Sequence, residues 1–129
     1  MRIVLCTANP MVSKAAAEAV RGRGTPPVVC ESGLELLGAV RDTAADLALL
    51  DLDTPGLNAL FLIGAIQELA PGLRVAAVST RSETDSRSLA QHGVPFVKLN
   101  AHPEVEVRAL LAELSRRSRH ASYAGSAVR

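Results

Sequence analysis

The sequence predicts an α/β protein: a doubly wound, five-stranded parallel sheet of order 2-1-3-4-5 with five helices on its two faces. Three observations carry this. Short apolar runs alternate with helix-length periodic stretches along the chain. The runs are continuously apolar rather than alternating, as in parallel strands buried on both sides. In a chain of 129 residues, right-handed crossovers then leave few topologies, of which 2-1-3-4-5 is the natural one.

Arg2 to Cys6 reads as the first strand. Asn9 caps a helix that opens on Pro10, runs to about Gly22, and buries Val12, Ala15, Ala16, Ala19 and Val20. Pro27 to Cys30 is the second strand, and Ser32 caps a helix carrying Leu34, Leu37 and Val40. The third strand, Leu47 to Leu50, enters the turn-rich segment Asp51-Leu52-Asp53-Thr54-Pro55-Gly56. A third helix spans Leu57 to Ala70 and is closed by Pro71-Gly72. Leu73 to Ser79 is the fourth strand, Glu83 to His92 a short polar helix, and Val94 to Lys98 the fifth strand. A last helix runs from Pro103 to about Ser118, with Val107, Leu110, Leu111 and Leu114 on one side. Residues 1–118 are therefore expected to form one domain, and 119–129 a tail or the start of a linker.

Composition excludes several functions. Aromatic residues make up 2% of the chain, too few for a base-stacking platform, and a net charge of +1 gives no basic field for duplex DNA. Direct nucleic-acid binding by this domain is not expected. Cys6 and Cys30 lie in apolar runs without C-x-x-C or Cys/His spacing, so zinc and dithiol redox chemistry are not expected either. His92, His102 and His120 show no ligand spacing. With no secretory leader and no apolar run of membrane-spanning length, the chain reads as cytoplasmic.

The predicted strands deliver chemistry to one edge of the sheet. Thr7-Ala8-Asn9 follow the first, Asp51 the third, Ser79-Thr80 the fourth, and Lys98 ends the fifth. The stretch from Ala45 to Gly56, an apolar strand ending in Asp51 with Pro55 four residues later, resembles the bacterial response-regulator receiver domain. Ser79-Thr80 and Lys98 match that family's hydroxyl and lysine positions, and the resemblance covers nearly all of residues 1–118. It implies the flavodoxin-like receiver fold. It further implies that Asp51 stands at the phospho-acceptor position, with Ser79, Thr80 and Lys98 at the phosphate and switch positions. Without the family pattern, an Asp and a Lys at strand ends read equally well as a partly buried ion pair.

The chain departs from the family where a cation would be held. Receiver domains follow the first strand with an acidic pair, whereas this sequence reads Thr7, Ala8 and Asn9. Mg²⁺ needs hard oxygen ligands, one or two of them carboxylates, and phosphoryl transfer uses the cation to neutralise developing charge. No metal and no other cofactor is therefore expected, Mg²⁺ binding being lost or weak. Asp53 stands as either a replacement ligand or a solvated loop side chain. Asp51 is expected to pair with Lys98 and hold the pocket in one state. A second departure is Pro95 in the place of the family's switch aromatic; Phe96 shares the face of Lys98 instead.

The third helix presents Leu57, Phe61, Gly64 and Ala65 opposite an inner face of Leu60, Leu62, Ile63, Ile66 and Leu69. The outer four read as a contact surface for a second copy or an effector, or as scattered surface apolar residues. No Ser/His/Asp or paired-carboxylate arrangement stands at the strand ends, and the loop from Thr7 to Pro10 has no glycine for a phosphate cradle, so no enzyme is expected. The leading reading is an atypical receiver domain acting by protein–protein contact, standing alone or as the N-terminal regulatory part of a transcription regulator. The alternative is a phospho-receiver with a weakened metal site, and only that one needs a histidine kinase partner.

Overall fold

A computed structural model describes residues 2–22, 25–81 and 86–128, with backbone alone at 86 and from 116 onward. The elements are β1 (Ile3–Cys6), α1 (Pro10–Ala19), β2 (Val28–Cys30), α2 (Gly33–Asp42), β3 (Leu47–Asp51), α3 (Ala59–Leu69), β4 (Arg74–Ser79), α4 (Ser86–Gln91), β5 (Phe96–Lys98) and α5 (Pro103–Val128). All strand pairs are parallel and the sheet order is β2-β1-β3-β4-β5, as the sequence predicts.

Alternation along the strands splits the core into two layers. Ile3 and Leu5 of β1, Leu47 and Leu49 of β3, and Ala76 and Val78 of β4 face α1 and α5, where Val12, Ala15, Ala16, Val107, Leu111 and Leu114 meet them. Val4, Cys6, Ala48, Leu50, Val75 and Ala77 face the other way, onto Leu36, Val40, Ile63, Ile66 and Leu89. Each fully buried aliphatic side chain contributes about 1.5–3 kcal/mol, so β1 and β3, buried along their whole length, anchor the ends where the site is built. Cys6 and Cys30 are register partners on adjacent strands and both are buried free thiols. Burial above all, with the neighbouring Cys30, pushes the Cys6 thiol up to about 11.

The caps behave as their chemistry requires. Asn9 Oδ1 accepts from the Met11 N–H at 2.9 Å, and Ser32 Oγ accepts from the Glu35 N–H at 3.2 Å. Gly33 lets α2 approach α3: a Cβ there would stand 2.8 Å from Leu62 Cδ1.

Several expectations need correction. Leu34 is 82% exposed; the buried stripe of α2 is Leu36 and Val40, because the helix starts at Gly33 and places Leu34 in its outer first turn. α3 begins at Ala59, not Leu57, because Thr54 to Leu57 form a turn with Pro55 at its second position and Gly56 at φ 75. The Leu57 N–H closes that turn on the Thr54 carbonyl at 3.2 Å, and Asn58 then caps the helix through the Phe61 N–H. Leu60 and Leu69, expected inside, are 39% and 52% exposed, so the buried face of α3 is Leu62, Ile63 and Ile66. α5 continues as helix to Val128, past the expected end at Ser118 and through the segment read as a tail. Residues 104–124 contain neither Gly nor Pro, so nothing in that stretch breaks the backbone ladder. The predicted start of the fourth helix at Glu83 lies outside the described residues.

Candidate functional site

The C-terminal ends of β1, β3 and β4 bring Thr7, Asp51, Ser79 and Thr80 to one edge of the sheet, and the β3–α3 loop folds Asp53 back over it. Asp51 is 3% exposed. Its Oδ2 accepts from the Thr7 hydroxyl at 2.6 Å and its Oδ1 from the Asp53 N–H at 3.0 Å, a side-chain-to-backbone turn two residues long. Thr7 Oγ1 in turn accepts from the Asn9 N–H at 2.9 Å. Thr7 is thus the hydroxyl donor to Asp51. Ala8 is exposed and its methyl group supplies no ligand atom.

The second carboxylate is as fully engaged. Asp53 Oδ1 accepts from Ser79 Oγ at 2.7 Å, and Oδ2 accepts from both the N–H and the hydroxyl of Thr80 at 2.7 Å. Arg81 Nε stands 3.9 Å from Oδ1. Asp53 is therefore a structural tie between the β3–α3 loop and the end of β4, which corrects the expectation of a solvated side chain. The Leu52 N–H, bonded to the Val78 carbonyl at 2.8 Å, fastens the same loop one step earlier.

The expected Asp51–Lys98 pair does not form among the described residues. Strand β4 lies between β3 and β5, with Asp51 in register with Val78 and Ser79 with Lys98. Two interstrand spacings, roughly 10 Å, separate the backbones. Ser79, at the end of the intervening strand, donates to Asp53, and Lys98 is exposed. On β5, Phe96 packs with the α2/α3 layer and Val97 with the α1/α5 layer, so Phe96 shares the face of Lys98 as the alternation predicts.

Electrostatics distinguish the two carboxylates. Desolvation pushes Asp51 above the ordinary carboxylate range; the Thr7 hydroxyl and Asp53 N–H oppose it, and the charge of Asp53 adds to it. For Asp53, burial also acts upward, but the bonds from Ser79 and Thr80, with the Arg81 guanidinium, outweigh it and hold the carboxyl below its ordinary value. The residues fit Mg²⁺ poorly. Every carboxylate oxygen of Asp51 and Asp53 already accepts a hydrogen bond, Ala8 supplies nothing, and among the described residues no group of three or more His, Cys, Asp or Glu side chains is placed to hold a metal ion. Thr54, in the same loop, is 5% exposed, and its hydroxyl has no hydrogen-bond partner among the described residues.

Beside the loop, a groove of about 520 Å³ runs between the start of α3 and α4, lined by Leu52, Leu57, Leu60 and Leu89 among others. Of the four residues read as a contact surface, Phe61 is 66% exposed, Gly64 and Ala65 are half-buried, and Leu57 packs against the core. Leu57 therefore leaves that surface, since it precedes the helix, and Leu60 joins it. Among the described residues no helix is long and apolar enough to cross a membrane.

The sequence had signals for part of this. Asp51-x-Asp53 before Thr-Pro-Gly marks a turn in which the first carboxylate caps the second residue's amide. Nothing in it shows that the Asp53 side chain reaches β4, because that contact spans 26 residues of sequence.

No protein-family model matches the chain, and no curated protein matches it in sequence. Solved structures do match in fold. A CheY-like response-regulator receiver domain protein from Methanospirillum hungatei JF-1 superposes with a TM-score of 0.72 at 15% identity, covering 92% of this chain and 97% of that one. The response-regulator domain of Thermotoga maritima CheB gives 0.71 at 17% identity, with 91% and 94% covered. NtrX from Brucella abortus gives 0.77 at 20% identity; the match takes in 99% of this chain and 29% of NtrX. Together with the strand order and the position of Asp51, these matches establish that the chain has the flavodoxin-like fold of response-regulator receiver domains.

Proposed function

We propose that this chain is a receiver-type signalling module that works through protein–protein contact, without Mg²⁺-dependent phosphorylation of Asp51. The observation that carries the reading is the closed state of the two carboxylates. Asp51 is buried against the Thr7 hydroxyl, and Asp53 holds the donors of Ser79 and Thr80. A phosphoryl acceptor needs an accessible carboxylate oxygen and a cation beside it. Here the oxygens are engaged, and Thr7 and Ala8 stand where the cation's carboxylates would be.

The shared fold supports the signalling class, and the match to a 29% portion of NtrX supports a regulatory domain within a longer regulator. The partner is a protein, either a second copy or an effector, and the exposed apolar residues Leu60 and Phe61 supply a contact. A histidine kinase enters only if Asp51 accepts phosphate. The test is incubation of the full chain with acetyl phosphate and Mg²⁺, read by intact mass. An unmodified chain is expected. A stoichiometric phosphoryl adduct on Asp51 would overturn the reading and make the chain a phospho-receiver.

A further inference from the structure

At the end of β4, residues 79–81 aim several donors at one anion. Ser79 Oγ and the Thr80 N–H and hydroxyl each lie 2.7 Å from an Asp53 oxygen, and Arg81 Nε lies 3.9 Å away. The three short bonds are in the range of charge-assisted hydrogen bonds. The sheet holds these donors in place. Ser79 is 1% exposed, its carbonyl accepts from the Leu99 N–H at 2.7 Å, and its hydroxyl also accepts from the Arg81 N–H at 3.0 Å. Two hydroxyls, an amide and a guanidinium on one short segment form a donor set for a small oxyanion.

The group occupying that set belongs to the protein itself. Asp53 comes from the β3–α3 loop, and its own N–H donates to Asp51 Oδ1 at 3.0 Å. We propose that Asp53 is the built-in occupant of an oxyanion site formed by Ser79, Thr80 and Arg81, filling from within the place that phosphate or an acyl phosphate would take. A tethered carboxylate competes as an intramolecular ligand, at an effective concentration of roughly millimolar or more, so free phosphate at lower concentration does not displace it. The contact also fixes the loop leading into α3, which carries Leu60 and Phe61. The inference deepens the signalling reading and rests on it for this consequence: the pocket stays in one liganded-like arrangement without phosphorylation.

The test uses the full chain and inorganic phosphate at constant ionic strength, followed by amide NMR of residues 79–81. In Asp53→Ala the donors are released, and these amides are expected to shift saturably at phosphate concentrations at least about tenfold lower than any response of the wild type. Asp53→Ser serves in its place if the alanine variant does not fold, as judged by the amides of β1 and β3. The proposal is overturned if the folded variant shows no phosphate response, or if the wild type responds at the same concentrations. The acetyl phosphate experiment reads Asp51 in the wild type and this one reads β4 in the variant, so failure of either idea is seen separately.

Discussion

Replacing Thr7 by Val deletes one hydroxyl from a site that is 4% exposed and leaves the shape of the side chain nearly intact. That hydroxyl donates to the Asp51 carboxylate at 2.6 Å and accepts from the Asn9 N–H at 2.9 Å. Losing a bond to a buried charge costs about 1.5–3 kcal/mol, and stranding a half-buried amide adds ~0.5–1.5 kcal/mol. The added methyl returns ~0.8 kcal/mol of burial. The net loss expected at neutral pH is therefore about 1–4 kcal/mol, a fall in melting temperature of roughly 4–15 °C for a domain of this size. The loss shrinks in acid, where Asp51 is protonated and the hydroxyl meets a neutral acid. Urea unfolding at neutral and acid pH measures both values, and a double-mutant cycle with Asp51→Asn isolates the pair. A loss below ~0.5 kcal/mol, or one equal at both pH values, would refute the reasoning that Thr7 supports the ionised Asp51.

Four further outcomes are expected. Asp51 is held above its ordinary pKa, so the folded state binds this proton more tightly than the unfolded chain, and its ionisation costs stability as pH rises from the ordinary carboxylate pKa through the folded one. Asp51→Asn should therefore raise the unfolding midpoint at neutral pH, with the gain fading toward acid. Asp53, held low, has the opposite sign: its contribution is present at neutral pH and is lost as pH falls through its folded pKa. Thr54→Val removes a buried hydroxyl that has no partner among the described residues and should stabilise the chain by about 1 kcal/mol, read from denaturant midpoints. Phe61→Glu, at a position 66% exposed, should leave stability within ~0.5 kcal/mol while weakening self-association or effector binding in sedimentation or pull-down measurements. Unchanged association would remove the outer face of α3 as the contact.

The fold was legible because each strand is an unbroken apolar run and each helix is punctuated by capping or breaking residues such as Asn9, Ser32 and Pro71-Gly72. The meeting of Asp51, Ser79 and Thr80 at one edge of the sheet was legible because they follow strands whose ends converge. Three details were not. Leu34, Leu60 and Leu69 look like core on periodicity, but they lie in the terminal turns of their helices, outside the buried stripes Leu36/Val40 and Leu62/Ile63/Ile66. Lys98 carries the right charge for Asp51, and the predicted strand order already sets β4 between them; that the Asp51 oxygens are taken by the Thr7 hydroxyl and the Asp53 N–H instead is not written in local pattern. Asp53 looks like a loop carboxylate until the loop's fold back onto β4 places it 2.7 Å from Ser79 and Thr80. Neutral residues at Thr7 and Ala8 were visible at once; that the Thr7 hydroxyl serves Asp51 required the register of β1 and β3.

The most direct measurement is an amide NMR titration of the wild-type chain with Mg²⁺ and then with beryllofluoride, a stable mimic of an acyl phosphate. With Asp51 bonded to Thr7 and Asp53 seated on Ser79 and Thr80, the amides of residues 51–53, 79–80 and 98 should show no saturating shift in either addition. Saturation of those amides in the low-millimolar range or below would contradict the account and restore a phosphorylation-driven switch at Asp51.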